Sequence, residues 1–420
     1  MFKIQKWLDA KKKTHFLKTK FVNFSRVENW NFNQNVIYHN SKKFFKFIGL
    51  SVKTNFYKKN WDQPIIIQKE VGILGIIKNE DTNKYLLQAK IEPGNINKIQ
   101  LAPTVQATKS NYQRVHGGKK IPFLKYFLNN KTLESLQSEQ GFRYFNKYNS
   151  NKIYITNKKI KISNDFYWFS IDELKQLSKK KNLLNMDTLS VISSFIKKKR
   201  IDFPLSNEKN IKKKILSNDK KFFLKTKKIK LSNLQNWIYK KNVIKHLDDK
   251  YFSIIGLEIN ANKREISHWH QPIIRGKKLA FAGFIKSNIK GTNHYLCRYL
   301  LKPGLKNSVI SCTTNTSDFF SINFNSNFPK FEKKIMKNFF LNKANNKKII
   351  YDNILSDEGG RFYKCQIRNM IIEILDYREI KIPFNYFWLS HNQLVKFIKF
   401  KKVDIEARLL FALDNFDNII

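Results

Sequence analysis

The chain has 420 residues and carries 80 Lys and Arg against 32 Asp and Glu, a formal charge of +48. That length exceeds what one ordinary hydrophobic core fills and suits two domains. The charge alone would suit a polyanion, yet only 11 of the basic residues are Arg and Lys is spread along the whole chain, so specific nucleic-acid binding is not expected.

In chain order, residues 1–27 read as an N-terminal extension without the continuous apolar run of a signal peptide. From Trp30 onward the same blocks occur twice. KFFKF leads into Ile48-Gly49-Leu50 and predicts a strand, as KYFSI does ahead of Ile255-Gly256-Leu257. WDQPIIIQKEVGILGII from Trp61 is matched by WHQPIIRGKKLAFAGFI from Trp269, and KYLLQAKIEPGN from Lys84 by HYLCRYLLKPGL from His294. QSEQGFRYF from Gln137 pairs with LSDEGGRFY from Leu355, and WFSIDELKQL from Trp168 with WLSHNQLVKF from Trp388. One order throughout makes this an internal duplication.

Each copy reads as short strands separated by Gly, Pro and Asn turns, followed by one or two helices, which predicts an α+β architecture. Ser170 stands three residues before Glu173 and Ser390 three before Gln393, the spacing of a capping box at a helix start. The domains expected are 28–196 and 231–420, joined by a Lys-dense linker at 197–230. Three cysteines without a C-x-x-C pair indicate neither a disulfide framework nor a zinc site, and a reducing cytoplasm is the simplest location. No window approaches the roughly 18 apolar residues of a membrane span.

The stretch from Leu86 to Phe127 is the densest in chemistry. It carries Gln88, Lys90 and a Pro93-Gly94 turn, then Gln106, Thr108, Lys109, Ser110, Asn111, Tyr112, Arg114 and His116 ahead of Gly117-Gly118. Amide, hydroxyl, phenol and cationic donors in one run are the repertoire that holds a sugar and a diphosphate. A metal-dependent pyrophosphate hydrolase would need clustered carboxylates, whereas Arg264-Glu265 continues as Ile-Ser-His, so no metal is expected.

These motifs, with LQSEQG from Leu136 and NLLNMDTLSVISSF from Asn182, resemble those of the NDP-hexose 2,3-dehydratases, and WHQPII and SDEGGRF resemble that family's second repeat. The resemblance runs from Trp30 to Leu410. It implies tandem Nudix-like domains, each a mixed β-sheet flanked by helices, in a homodimer with one catalytic nucleotide-sugar pocket and one remnant. The activity implied is removal of water across carbons 2 and 3 of dTDP-4-keto-6-deoxy-D-glucose, without a cofactor. The product would pass to a separate NAD(P)H-dependent 3-ketoreductase.

Within the matched motifs His116, Tyr112 and Glu139 are the candidate proton carriers. Lys109 and Arg143 are candidates for the diphosphate, since Arg grips phosphate oxygens bidentately. Gln88, Lys90, Gln106, Thr108, Ser110 and Asn111 are candidate sugar or base contacts, and Trp61 with Gln63 a candidate stacking surface. Where the family's second repeat has a Pro-Thr-Val-Gln segment, this chain has SVISCTTNTSDFFSINF from Ser308. Catalysis is therefore expected in the first copy, with a degenerate second site at His270, Gln271 and Arg361. The alternative is a duplicated nucleotide-sugar-binding protein without catalysis.

Overall fold

A computed structural model of the chain describes residues 1–113, 115, 117–128, 131–249, 251–276, 279–316, 329–342 and 347–420. The chain is mixed α/β, and the same order of elements runs twice. The first run opens with the helix Phe2–Thr14 and the strand Leu17–Val22, the second with the helix Glu208–Lys221 and the strand Leu224–Ile229. The Lys-dense stretch read as a linker therefore carries regular structure. Its FLKTK at 223–227 repeats FLKTK at 16–20, so the repeat unit begins near residues 2 and 208 instead of 28 and 231. Lysine hid the helix: only Ile211 and Asn218 of Glu208–Lys221 are buried, too few to print an apolar stripe.

The two opening strands are exchanged. Leu17–Val22 pairs antiparallel with Ser253–Ala261 of the second run, and Leu224–Ile229 pairs with Lys46–Thr54 of the first. Each run then builds one smaller and one larger sheet. The larger sheet of the first run has the order Leu133–Ser138, Tyr148–Thr156, Gly72–Asn79, Lys84–Lys90, Phe166–Phe169, with Gln100–Pro103 and Val105–Ala107 added at the side. Its counterpart is built around Ala280–Ile289, Thr292–Leu300 and Gln366–Ile374.

Helices close each run, and the predicted capping boxes start the first of each pair: Ser170 and Glu173 at Ile171–Ser178, Ser390 and Gln393 at His391–Lys399. The second helices, Met186–Ser194 and Ile405–Asp414, pack on one another, so Leu189 and Ile192 share a core with Leu410 and Leu413. Among the described residues no helix is long and apolar enough to cross a membrane.

A reciprocal contact locks the two runs together. The Pro93-Gly94 turn enters the loop at Glu358-Gly359-Gly360, where Gly94 N donates to Gly359 O (2.8 Å) and Lys364 N donates to Gly94 O (2.8 Å). The Pro303-Gly304 turn enters the loop at Gln140-Gly141 in the same way, with Gly304 N donating to Gly141 O (2.6 Å) and Asn146 N to Gly304 O (2.7 Å). A Cβ on Gly94 would lie 1.8 Å from Phe362 O, and one on Gly304 1.8 Å from Tyr144 O. Both obstacles are backbone carbonyls that cannot swing aside. Gly94→Ala and Gly304→Ala should each lower the free energy of unfolding by about 2 kcal/mol or more. Urea denaturation checks this, and wild-type midpoints in both variants would show that the turns do not lock the runs.

Candidate functional site

The turn Pro93-Gly94 and the loop it enters stand over a cleft with two compartments. The outer compartment holds about 310 Å³ and the inner about 90 Å³, and both are lined by Asn111, Arg264, Gly360 and Arg361, which form the neck between them. The outer walls are aromatic: Trp30, His39, Phe44 and Phe45 from the first run face Trp269 and His270 from the second. The inner walls are charged. Lys90, Glu92, Glu139, Lys147 and Asp187 come from the first run, and Glu358 from the second.

The local sequence explains how these side chains are held. Trp61 Nε1 donates to Gln63 Oε1 (2.8 Å) and Gln63 Nε2 donates to Phe142 O (2.7 Å); in the second copy Trp269 Nε1 donates to Gln271 Oε1 (2.9 Å) and Gln271 Nε2 to Gly360 O (2.8 Å). The repeated Trp-x-Gln is thus a clamp on the loop that carries an Arg. That Arg is Arg143 in one copy, buried 4.6 Å over the Phe252 ring, and Arg361 in the other, 4.1 Å over Phe45. Asp187 sits in the first turn of Met186–Ser194, where Asn185 caps the helix by accepting from Asp187 N (2.8 Å). Glu92 is fixed by Lys90 Nζ at 3.4 Å and by Gln106 Nε2, which donates to its Oε1 at 3.2 Å.

Glu92, Glu139, Asp187 and Glu358 share one chamber, and burial there raises the carboxyls of the last three. Burial, aided by Glu139, Glu358 and Glu92, pushes Asp187 well above the usual carboxylate range. Glu358, which accepts from Tyr144 Oη (3.3 Å), is pushed up to about 7 by burial and then by Glu92, against the opposing pull of Arg361. Glu139 keeps a little exposed surface but is ringed by protein, which raises its carboxyl. There the remaining influences oppose the rise: Lys147, Arg408 and the amide of Asn149, whose Nδ2 donates at 2.6 Å. Burial lowers the Lys147 ammonium to about 8. Glu139 and Asp187 therefore have environments that separate them, one flanked by cations and an amide donor, the other by carboxylates. At the neck, Arg264 Nε and Arg361 Nε are buried without a hydrogen-bond partner among the described residues, as are Glu92 Oε2 and Gln106 Oε1. Such groups are costly unless something meets them.

Of the residues nominated from the sequence, Lys90, Gln106, Thr108, Asn111 and Glu139 line the inner compartment, with Asn111 also at the neck. Ser110 lies just behind, its N donating to Glu70 Oε2 (3.1 Å) and its Oγ to Thr108 Oγ1 or the reverse (2.9 Å). Gln88 is turned away, its Nε2 donating to Pro103 O (2.8 Å). Lys109 is exposed, and Tyr112 packs on the Phe127 cluster, where burial raises its phenol; neither lines the cleft. Trp61, Gln63 and Arg143 belong to the clamp and also lie outside the lining. His116 and Arg114 lie outside the described residues. His270, Gln271 and Arg361, nominated for a separate site, line the outer compartment of this same cleft. Glu92, Asp187 and Glu358 were passed over although each stands inside a quoted motif, because nothing in a linear motif says that strands, a helix start and the other run's loop converge.

The equivalent place in the second copy is chemically different. Lys302 occupies the position of Glu92, and its ammonium lies 2.7 Å from Glu406 and 3.0 Å from Asp404, fully buried. Asn315 replaces Gln106, and Gln140, donating to Asp357 Oδ1 at 2.6 Å, replaces Glu358. A buried lysine with two carboxylate partners thus stands where the first copy has Glu92.

Comparison with known proteins gives one consistent result. The model of the family described as NDP-hexose 2,3-dehydratase matches residues 1–195 and 209–413. The two matched segments begin where the repeated helices begin. A protein of Saccharopolyspora spinosa named dTDP-4-dehydro-6-deoxy-alpha-D-glucopyranose 2,3-dehydratase is 30% identical over 440 residues, covering 97% of this chain and 89% of the relative. Proteins of the same name from Amycolatopsis orientalis and Streptomyces violaceoruber are 28% and 29% identical, covering 98% and 89% of this chain and 89% and 87% of their own lengths.

The raised carboxyl of Glu358 ties stability to pH. Below its ordinary value of 4.5 it is protonated whether the chain is folded or not; as pH rises through about 7 the folded chain must ionise it in the chamber, and stability is lost. Glu358→Gln should therefore stabilise the protein by about 1–3 kcal/mol at pH 8 and by much less at pH 5. Thermal unfolding at both pH values reads this, and an equal effect at each would contradict the assignment.

Proposed function

The chain belongs to the NDP-hexose 2,3-dehydratase family, and we propose that it dehydrates dTDP-4-keto-6-deoxy-D-glucose in the inner compartment of the cleft, in a pathway of deoxysugar biosynthesis. The observation that carries this reading is the pairing of an aromatic outer compartment with a carboxyl-lined inner one across a neck of two arginines. A base stacks in the first, a hexose fits the second, and a diphosphate spans Arg264 and Arg361 between them.

The reaction needs acid and base only. The ketone at carbon 4 acidifies the proton on carbon 3, and the hydroxyl on carbon 2 lies β to that ketone. Glu139, with cations and an amide donor around it, takes the carbon 3 proton; the electron pair moves toward the carbon 4 oxygen as an enolate, which Lys147 stabilises from the chamber wall. Asp187, held protonated among carboxylates, gives its proton to the departing carbon 2 hydroxyl, which leaves as water. The enol formed between carbons 2 and 3 relaxes to a 3,4-diketo-2,6-dideoxy sugar nucleotide. Tyr144 and Glu358 stand beside this path as a hydrogen-bonded pair through which the proton gained by Glu139 can pass back toward Asp187 for the next turnover. The clamp residues Trp61, Gln63 and Arg143 have no direct part, and Tyr112 acts by packing the segment that carries Asn111.

On this reading a nicotinamide-dependent 3-ketoreductase takes up the unstable diketone. A cytoplasmic homodimer and descent of the two runs from a Nudix-like domain belong to the same proposal, supported by family membership and the repeated element order. The nucleotide, dTDP, is taken from the names of the relatives.

The direct test is incubation of purified protein with dTDP-4-keto-6-deoxy-D-glucose, with a 3-ketoreductase and reduced nicotinamide supplied to trap the product, and mass spectrometry to follow loss of one water. Unchanged substrate under conditions where dTDP binds would refute catalysis. Glu139→Gln and Asp187→Asn should each lower kcat by about 10²–10⁴-fold while dTDP affinity is kept, whereas Arg361→Ala should weaken dTDP binding by roughly 10–100-fold, as loss of a charged hydrogen-bonding group does. Full turnover in either carboxyl variant would move the chemistry elsewhere.

A further inference from the structure

On the rim of the outer compartment a second group of side chains lies outside the carboxyl-lined chamber. His268 and His270 are two apart on the strand His268–Arg275 and so project to the same face of the sheet. Glu258, on Ser253–Ala261, stands directly opposite His270 in the antiparallel register and so shares that face. One ligand atom from each of the three lies within 4.8 Å of the other two. His268 Nε2 is 3.5 Å from Glu258 Oε1, and the two imidazoles meet edge to face with centroids 5.1 Å apart.

A surface pair of His and Glu would ordinarily be a weak ion pair and nothing more. Here a separate observation points to a ligand. The His270 side chain is only 6% exposed, and its Nδ1 makes no hydrogen bond among the described residues; Glu28 Oε2, its nearest acidic neighbour, stands 3.5 Å away. A buried imidazole whose Nδ1 finds no hydrogen bond, set against a His and two carboxylates, has a ligand atom to offer a cation. Bonds of about 2.0–2.1 Å to a tetrahedral ion set ligand atoms about 3.4 Å apart. The His268–Glu258 separation already meets that spacing, and His268, 45% exposed, and Glu258, 29% exposed, have room to turn toward His270.

We infer that Glu258, His268 and His270 form a binding site for a divalent transition-metal ion, zinc being the chemistry that two imidazoles and one carboxylate select. The fourth position opens onto the outer compartment, because His268 and His270 line it. The sequence alone argued against any metal, and it could not have shown this site: Glu258 lies a full hairpin away from the two histidines. The ion would sit outside the carboxyl-lined chamber, so its role is at the compartment wall and not in proton transfer. Lys20, opposite Glu258 in the register of Leu17–Val22, is exposed.

The test uses the full chain without an affinity tag, stripped with EDTA and titrated with Zn²⁺ against a chromophoric chelator, with Co²⁺ as a spectroscopic substitute. One equivalent should bind, Co²⁺ should give the absorption of a tetrahedral site, and Zn²⁺ should raise the melting temperature. Glu258→Gln and His268→Ala should each weaken Zn²⁺ binding roughly tenfold or more and abolish the shift in melting temperature. Absence of stoichiometric binding by the unmodified protein would overturn the inference whatever the variants do. So would unchanged affinity in both variants, since the ion would then be held elsewhere. None of these readouts depends on dehydratase turnover, so the inference and the proposed reaction can fail separately.

Discussion

The insertion of each Pro-Gly turn into a loop of the other run is the constraint from which the site follows. Gly94 reaches the Gly359 carbonyl and Gly304 reaches the Gly141 carbonyl, at distances that leave no space for a Cβ on either. The strands exchanged at the start of each run and the helices packed across the middle add to the same linkage. As a result neither run owns a complete pocket. The cleft takes its floor from the first run's larger sheet and its roof from the second run's Glu358-to-Arg361 loop. The two runs work together on one cleft.

That linkage also explains how four carboxylates can be kept in a small chamber. Burying an unpaired charge is expensive, and a chain free to relax would separate or hydrate these groups. Here the loop bearing Glu358 is pinned by the Pro93-Gly94 turn on one side and by Gln271 on the other. Glu92 is fixed by Lys90 and Gln106. The strain appears as raised carboxyls and a lowered ammonium, which is the condition for moving protons near neutral pH. In the second copy Lys302 stands at the place of Glu92 and pairs with Asp404 and Glu406, while burial still pushes Asp357 up to about 7. One residue type at one turn thus gives the two chambers different charge.

Much of this was legible in the sequence. The repeated blocks, the strands after Phe44 and Phe252, and both capping boxes follow from patterns that local physics enforces. The start of the repeat did not show, because the helix Glu208–Lys221 buries so little that its lysines read as a linker. Of the site, Lys90, Gln106, Thr108, Asn111 and Glu139 were legible as a polar cluster near a turn. Gln88 and Arg143 look equally polar in the sequence, yet the Pro103 carbonyl holds the Gln88 amide and the Phe252 ring covers Arg143, which keeps both from the cleft. Arg361 was legible only as part of a separate second site, and Glu358 not at all, because the sequence does not say that the second run's loop caps the first run's sheet.

The most direct test is a crystal structure with a non-reactive dTDP-hexose bound. The account predicts one ligand per chain, its hexose between Glu139 and Asp187, its diphosphate on Arg264 and Arg361, and its base among Trp30, Phe45 and Trp269. A hexose found beside Lys302 and Arg143 instead, or a nucleotide held entirely by one run, would contradict it.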